Sequence, residues 1–377
     1  MPTFDAIVLG AGAVGSAALA TLAARGARVL GIDRFPPGHS RGSSHGQSRM
    51  IRQAYFEHPD YVPLVLRCYQ LWAELEHRRG RQLFTQTGLV EIGPPDGAVL
   101  RGVLDSARRH ALAVEPLSGP EIMSRWPGLR VPEPLGGVFE PRGGYLRVEE
   151  CVRAQADEAV SRGAELHVGE TALEWRPQGA GVTLRTDRTT YTADRLVIAA
   201  GCWAGTLLAD LGLTLEVRRK PLYWYATESR DYLVERGCPA FLFELPSGVF
   251  YGFPQIDTAG VKIAEHSGGR VVVDPLLVNR EIDPDDQRRV EEFAAACLPG
   301  LTNRCTAHTV CLYTMTSDEH FIVDRHPACP QVVFAAGLSG HGFKFAPVLG
   351  VALADLALEG QSELPIGFLS CLRAGLR

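Results

Sequence analysis

Six residues near the start of the chain restrict its possible folds more than any other feature. Gly10-Ala11-Gly12-Ala13-Val14-Gly15 directly follows the run Phe4-Asp5-Ala6-Ile7-Val8-Leu9 and opens a stretch of small and apolar residues, Ala17 to Arg28, at helical spacing. A GxGxxG between a strand and a helix is a turn on which a dinucleotide sits. Its first glycine permits the tight turn, its second lets the backbone approach a pyrophosphate, and its third lets helix and strand pack closely. The helix start adds unpaired N–H groups and a positive dipole. The next strand, Arg28-Val29-Leu30-Gly31-Ile32-Asp33, ends in an acid placed to accept a ribose hydroxyl. The fingerprint suits FAD and NAD alike, since both carry an ADP half. Asp33 would repel the ribose phosphate of NADP.

Two later segments favour FAD. Arg195-Leu196-Val197-Ile198-Ala199-Ala200 stops at Gly201-Cys202-Trp203 like a strand returning to a nucleotide domain, although alone it reads as any buried strand. Gly337-Leu338-Ser339-Gly340-His341-Gly342-Phe343-Lys344 is a second glycine-rich turn, ahead of small and apolar residues from Ala346 to Leu358. Its backbone N–H groups and positive helix end suit the N1/C2=O edge of a reduced, anionic flavin. Between these landmarks the spacing predicts an amphipathic helix over Pro63–His77, a strand-and-helix insertion over 84–144 and a helix over Arg147–Arg162. Short strands follow at Glu165–Val168 and Gly181–Thr186, then a mainly β pattern from about 216 to 307, and a buried strand at Val332–Ala336. The expected class is therefore α/β. A Rossmann-type FAD-binding domain would be built from 1–80, 145–215 and 308–377, and an inserted, mainly antiparallel β substrate domain from 81–144 and 216–307.

Composition narrows the partners. A formal net charge of -5 leaves no broad basic face for a nucleic acid or an anionic membrane. No apolar run approaches the roughly 20 residues that span a bilayer, and the N-terminus shows no basic n-region or cleavage site. Nine cysteines, scattered from Cys68 to Cys371 without CxxC spacing, suggest neither a metal site nor a disulfide framework, and fit a reducing cytoplasm.

Several blocks together resemble the monomeric sarcosine oxidase family, which includes N-methyltryptophan oxidase and pipecolate oxidase. They are the dinucleotide turn, Ser44-His45-Gly46-Gln47-Ser48-Arg49-Met50-Ile51-Arg52, Cys311-Leu312-Tyr313-Thr314, Asp318-Glu319-His320-Phe321 and Ser339-Gly340-His341-Gly342-Phe343-Lys344-Phe345. The similarity runs over essentially the whole chain.

The resemblance implies FAD attached through a thioether at Cys311, a choice that composition alone could not make over Cys305. It assigns cofactor contacts to Gly10, Gly12, Gly15, Asp33, Arg34, Ser44, Gly340, His341, Gly342 and Phe343. It implies a carboxylate clamp of Arg52 and Lys344, and His45 and Arg49 against the flavin ring. Tyr251, Tyr313 and Leu242 would line the substrate pocket, with His266 near the substrate amine. Lys262 would promote reaction with oxygen, by the logic of a preorganised charge. The implied activity is that of a monomeric oxidase of secondary or N-methyl α-amino acids. Its partners are a small amino-acid substrate and molecular oxygen, and its products an imine that hydrolyses and hydrogen peroxide. Gln47 and Ser48 replace an acid and a threonine of the sarcosine oxidases, and Leu242 replaces a methionine, which puts the substrate rather than the redox machinery in question. A flavin dehydrogenase with a non-oxygen acceptor is the first alternative, against which Lys262 argues. A nicotinamide-dependent reductase is the second.

Overall fold

The computed structural model describes residues 3–376. Its first sheet is built on parallel strands, buried on both faces and hence near-continuously apolar in sequence. Thr3–Leu9 lies between Val29–Asp33 and Thr190–Ile198, and the end of the latter pairs in parallel with Cys329–Ala336. Glu165–Val168 extends one side in parallel, and Ile322–His326 closes the other antiparallel. The first half of Thr190–Ile198 also pairs antiparallel with Gly181–Thr186, which pairs with Ala172–Gln178. Helix Ala13–Ala24 packs against helices Val148–Ser161 and Ala346–Leu358 over one face. These interlocked segments come from the start, middle and end of the chain. The mixed α/β class and the Rossmann-type layer are those expected.

The second sheet has eight strands in the order Leu301–Met315, Glu216–Thr227, Val261–Glu265, Gly248–Phe253, Ala240–Leu245, Leu89–Gly93, Gly136–Glu140, Glu115–Ser118. It is antiparallel except where Ala240–Leu245 pairs in parallel with Leu89–Gly93, and that junction joins the two inserted stretches. Residues opposite one another in register share a face. One face therefore carries the row Val138, Glu91, Leu242, Tyr251 and Ala264. The opposite face carries Phe241, Phe243, Phe250, Ile263 and Tyr223, part of a separate apolar core.

Two features differ from the expected pattern. A helix, Pro284–Cys297, interrupts the β stretch; Asp283 caps it by accepting from the N–H of Asp285 at 3.0 Å and of Asp286 at 3.3 Å. Its Phe293 stacks on Phe250 with ring centroids 4.7 Å apart, covering the far face of the sheet. The division drawn after 307 falls inside the strand Leu301–Met315, which pairs with Glu216–Thr227 along its length, so Cys311 and Tyr313 ride on the second sheet. A three-stranded sheet, Ser48–Ile51, Gly144–Arg147 and Phe84–Gln86, ties the loop after Asp33 to the inserted segments. Among the described residues no helix is long and apolar enough to cross a membrane.

Candidate active site

A long cleft with a free volume of about 290 Å³ runs along the ends of the parallel strands. Gly10, Gly12, Asp33, Arg34, Ser44, Gly340, Gly342 and Phe343 line it. The three glycines of the first turn have different reasons to be glycine. At Gly15 a Cβ would fall inside the carbonyl of Gly10, and at Gly10, with φ +93°, it would lie 2.5 Å from the carbonyl oxygen of Ala199. At Gly12 it would meet only the Ser44 hydroxyl, at 3.6 Å, and the extended backbone there suits any residue. Among the described residues no contact requires a glycine at 12. A ligand lying against the backbone would, and in the fingerprint this is the position where a pyrophosphate is approached.

The remaining donors fit that ligand. The Asp33 carboxylate accepts from the N–H of Ala11 at 2.6 Å and of Phe35 at 2.7 Å, so one lone-pair position per oxygen remains. Ser44 accepts from Ala13 N–H at 3.2 Å, and Arg34 donates to Thr171 Oγ1 at 3.1 Å. The side chain of His341 turns away from the cleft and lines a second, smaller chamber.

Arg49 lines both spaces and stands at their junction. It donates to Ser48 O at 2.9 Å, Ser43 O at 3.1 Å and the Cys311 sulfur at 2.9 Å. Cys311 is 1% exposed and also lies 3.3 Å from Ser43 O. Lys262 is buried beside this group rather than in the chamber. Its ammonium donates to Gly46 O at 2.6 Å and Ser48 O at 2.7 Å, while burial and the neighbouring Arg49 push its pKa well down. His45 is buried too, pushed down to about 3 by burial and by the nearby cations, so its ring is neutral. Its Nε2 has no partner in the protein.

The chamber brings together Arg52, Lys344, Tyr251, Tyr313, Leu242 and His266, which are scattered along the sequence. Lys344 Nζ donates to His341 O at 2.8 Å and to the Tyr55 hydroxyl at 3.3 Å. His341 Nε2 lies 2.9 Å from Glu319 O, which only accepts, so Nε2 carries the proton and Nδ1 accepts from Tyr55 at 2.7 Å. Burial lowers His341 to about 4, in keeping with that neutral tautomer. Burial, reinforced by Arg52, lowers Lys344 to about 7. His266, lowered to about 3 chiefly by burial, is neutral and sits 3.4 Å from the Tyr313 hydroxyl. The chamber thus offers three cations, Arg49, Arg52 and Lys344, the carboxylate of Glu57, two neutral imidazoles and two phenols, a set that suits an anion joined to an uncharged nitrogen.

Sequence reasoning did not find Glu57, Glu91 or Tyr55. Both Glu57 oxygens accept from Nη2 of Arg52, at 2.7 and 2.6 Å, Nη1 donates to Ala54 O at 3.1 Å, and the guanidinium lies over the rings of Tyr55 and Phe56. Glu57 was detectable in principle, five positions after Arg52. Glu91 reads as the outward residue of an alternating strand.

Known proteins resemble this chain over most of its length. The family described as FAD dependent oxidoreductase matches residues 5–356. Monomeric sarcosine oxidase of Streptomyces avermitilis is 43% identical over 371 residues, 97% of this chain and 96% of that protein. N-methyl-L-tryptophan oxidase of Escherichia coli is 38% identical over 367 residues, 96% of this chain and 97% of that protein. The solved structure of NikD, an unusual amino acid oxidase essential for nikkomycin biosynthesis, superposes with a TM-score of 0.86 at 27% identity, covering 98% of each chain.

Proposed function

The chain belongs to the family of FAD dependent oxidoreductases, and from that premise we propose that it oxidises a secondary or N-methyl α-amino acid. The products are an imine, which water hydrolyses, and hydrogen peroxide. FAD in the long cleft would be held by the turn at Gly10, Gly12 and Gly15, by Asp33, Arg34 and Ser44, and by the turn at Gly340, Gly342 and Phe343. It would supply the two-electron oxidation and pass the electrons to oxygen. We assign its covalent anchor to Cys311 and promotion of the oxygen reaction to Lys262, the buried cation beside Arg49. We take the enzyme to work as a monomer in the cytoplasm.

The observation that carries this reading is the pairing of Arg52 and Lys344 in a chamber that meets the cleft at Arg49. A guanidinium fork fixes a carboxylate in one geometry and an ammonium adds a point charge. For a substrate to use the fork, Glu57 must release it. The neutral His266 and the Tyr313 hydroxyl then lie where a substrate nitrogen can stay uncharged, the form whose lone pair assists oxidation of the adjacent carbon. Leu242 stands in the chamber where the sarcosine oxidases carry a methionine, a volume-conserving exchange that keeps a sarcosine-like or cyclic imino acid ahead of an N-methylated aromatic one.

The test is a panel of sarcosine, pipecolate, proline, N-methyltryptophan, glycine and methylamines lacking a carboxylate, read by peroxide release. Small secondary amino acids should be oxidised first and the carboxylate-free amines last. Equal or faster oxidation of the latter would remove the clamp and, with it, this substrate class.

A further inference from the structure

The most unusual group outside the machinery just described is the carboxyl of Glu91. It is 0% exposed, and neither of its oxygens has a hydrogen-bond partner. It stands on the chamber side of the second sheet, in register between Val138 and Leu242. Its Oε1 lies 3.6 Å from Nε of Arg52.

Arg52 therefore has two carboxyls beside it, Glu57 on Nη2 and Glu91 3.6 Å from Nε. Glu57 keeps a side-chain exposure of 14%, and Glu91, with none, is fixed by the sheet. When Nη2 exchanges Glu57 for a substrate carboxylate, Glu91 is the acid that stays beside the guanidinium. We propose that Glu91 is a positioning residue for the clamp: an uncharged carboxyl held beside Arg52 that leaves the guanidinium's charge to the substrate carboxylate, and that weakens the clamp when it ionises. The proposal rests on the reading of the chamber as a carboxylate site.

The surroundings explain why the acid stays protonated. Burial without a donor raises Glu91 to about 8, and Glu140 and Glu57 add to the rise, while Arg52 and Lys344 oppose it. Glu140, the other buried acid nearby, accepts the N–H groups of Gln53 and Ala54 at 2.6 and 2.8 Å. Glu91 has no comparable support for a charge. An ionised Glu91 would compete with an incoming carboxylate for the charge of Arg52.

The experiment measures acetate binding to the FAD-loaded enzyme, with acetamide as control, by the change in visible flavin absorbance at pH 6 and pH 9. Glu91→Gln and Glu91→Met both leave a permanently uncharged side chain of similar size. Both should bind acetate within twofold of the parent at pH 6, where Glu91 is neutral anyway. At pH 9, one unit above its pKa, both should bind about tenfold more tightly than the parent. The comparison is repeated in a Lys344→Met background, because Glu91 is among the groups that raise Lys344 and the lysine's own titration would otherwise enter the ratio. Equal affinities at both pH values, or weaker binding by the variants at both, would overturn the proposal while leaving the carboxylate site intact. If the parent binds acetate no better than acetamide, the reading of the chamber falls and the proposal with it.

Discussion

Gly12→Ala separates the demands of the fold from the demands of the ligand. The new methyl would meet only Ser44 Oγ at 3.6 Å, and the backbone angles there, φ -73° and ψ -164°, suit alanine. Gly12 is also the N-cap of helix Ala13–Ala24. Alanine is a poorer cap by roughly 0.5–1 kcal/mol, and the less flexible unfolded chain returns about 0.4–1 kcal/mol. The apoprotein should keep its stability to within about 1 kcal/mol. The holoenzyme should not: a methyl forced into a close contact costs about 1–3 kcal/mol, which is a 5- to 150-fold loss of FAD affinity. The measurement uses a Cys311→Ser background, so that flavin can be removed. Urea melts of the apoprotein give the first number and fluorescence titration with FAD the second. Gly15→Ala serves as the contrast, because its Cβ would overlap the Gly10 carbonyl, and it should prevent folding altogether. FAD binding by Gly12→Ala within twofold of its parent would refute the assignment of the pyrophosphate to this backbone.

If Cys311 carries the flavin, acid-precipitated protein keeps its yellow colour in the pellet and Cys311→Ser releases it; a colourless parent pellet would refute the attachment. Lys262→Met should slow reoxidation by oxygen about 100- to 1000-fold, the scale of one lost preorganised charge, with much less effect on anaerobic reduction by substrate. Stopped-flow traces with unchanged reoxidation would remove that role. Lys344 is charged below about 7 and neutral above it. Carboxylate affinity should therefore fall as pH rises through 7, and Lys344→Met should bind weakly and without this step, as KM profiles between pH 6 and 8 would show.

The nucleotide layer was legible because its causes are local. The glycine turn and the acid at the end of the second strand sit within one strand–helix–strand unit, and steric limits on the turn act over a few residues. Gly10 and Gly15 answer to backbone contacts and Gly12 to a ligand, yet all three carry the same letter. The chamber was legible only through resemblance. Arg52, Tyr251, His266, Tyr313 and Lys344 converge through long-range strand pairing, which leaves no periodic trace. Glu91 was hidden for a different reason. A lone acid in Leu89-Val90-Glu91-Ile92 looks like a solvent-facing residue, and only the parallel pairing with Ala240–Leu245 shows that side of the strand to be covered. Helix Pro284–Cys297 announced itself through Asp283 and Pro284, but the surrounding β pattern obscured it.

The order of strands in the first sheet has a consequence for synthesis. The glycine turn emerges from the ribosome first, but Thr3–Leu9 lies between strands from the beginning and middle of the chain, and helix Ala13–Ala24 packs on Ala346–Leu358, near its end. Non-local pairing of this kind is slow and leaves apolar surface waiting for its partner. A nascent chain stopped before Cys329 would lack the strand beside Thr190–Ile198, the second glycine turn and the helix that covers the first. Cofactor capture is thus a late event that waits for Cys329–Ala336 and Ala346–Leu358. Ribosome-bound chains arrested before that point should retain no flavin, however long they are given it.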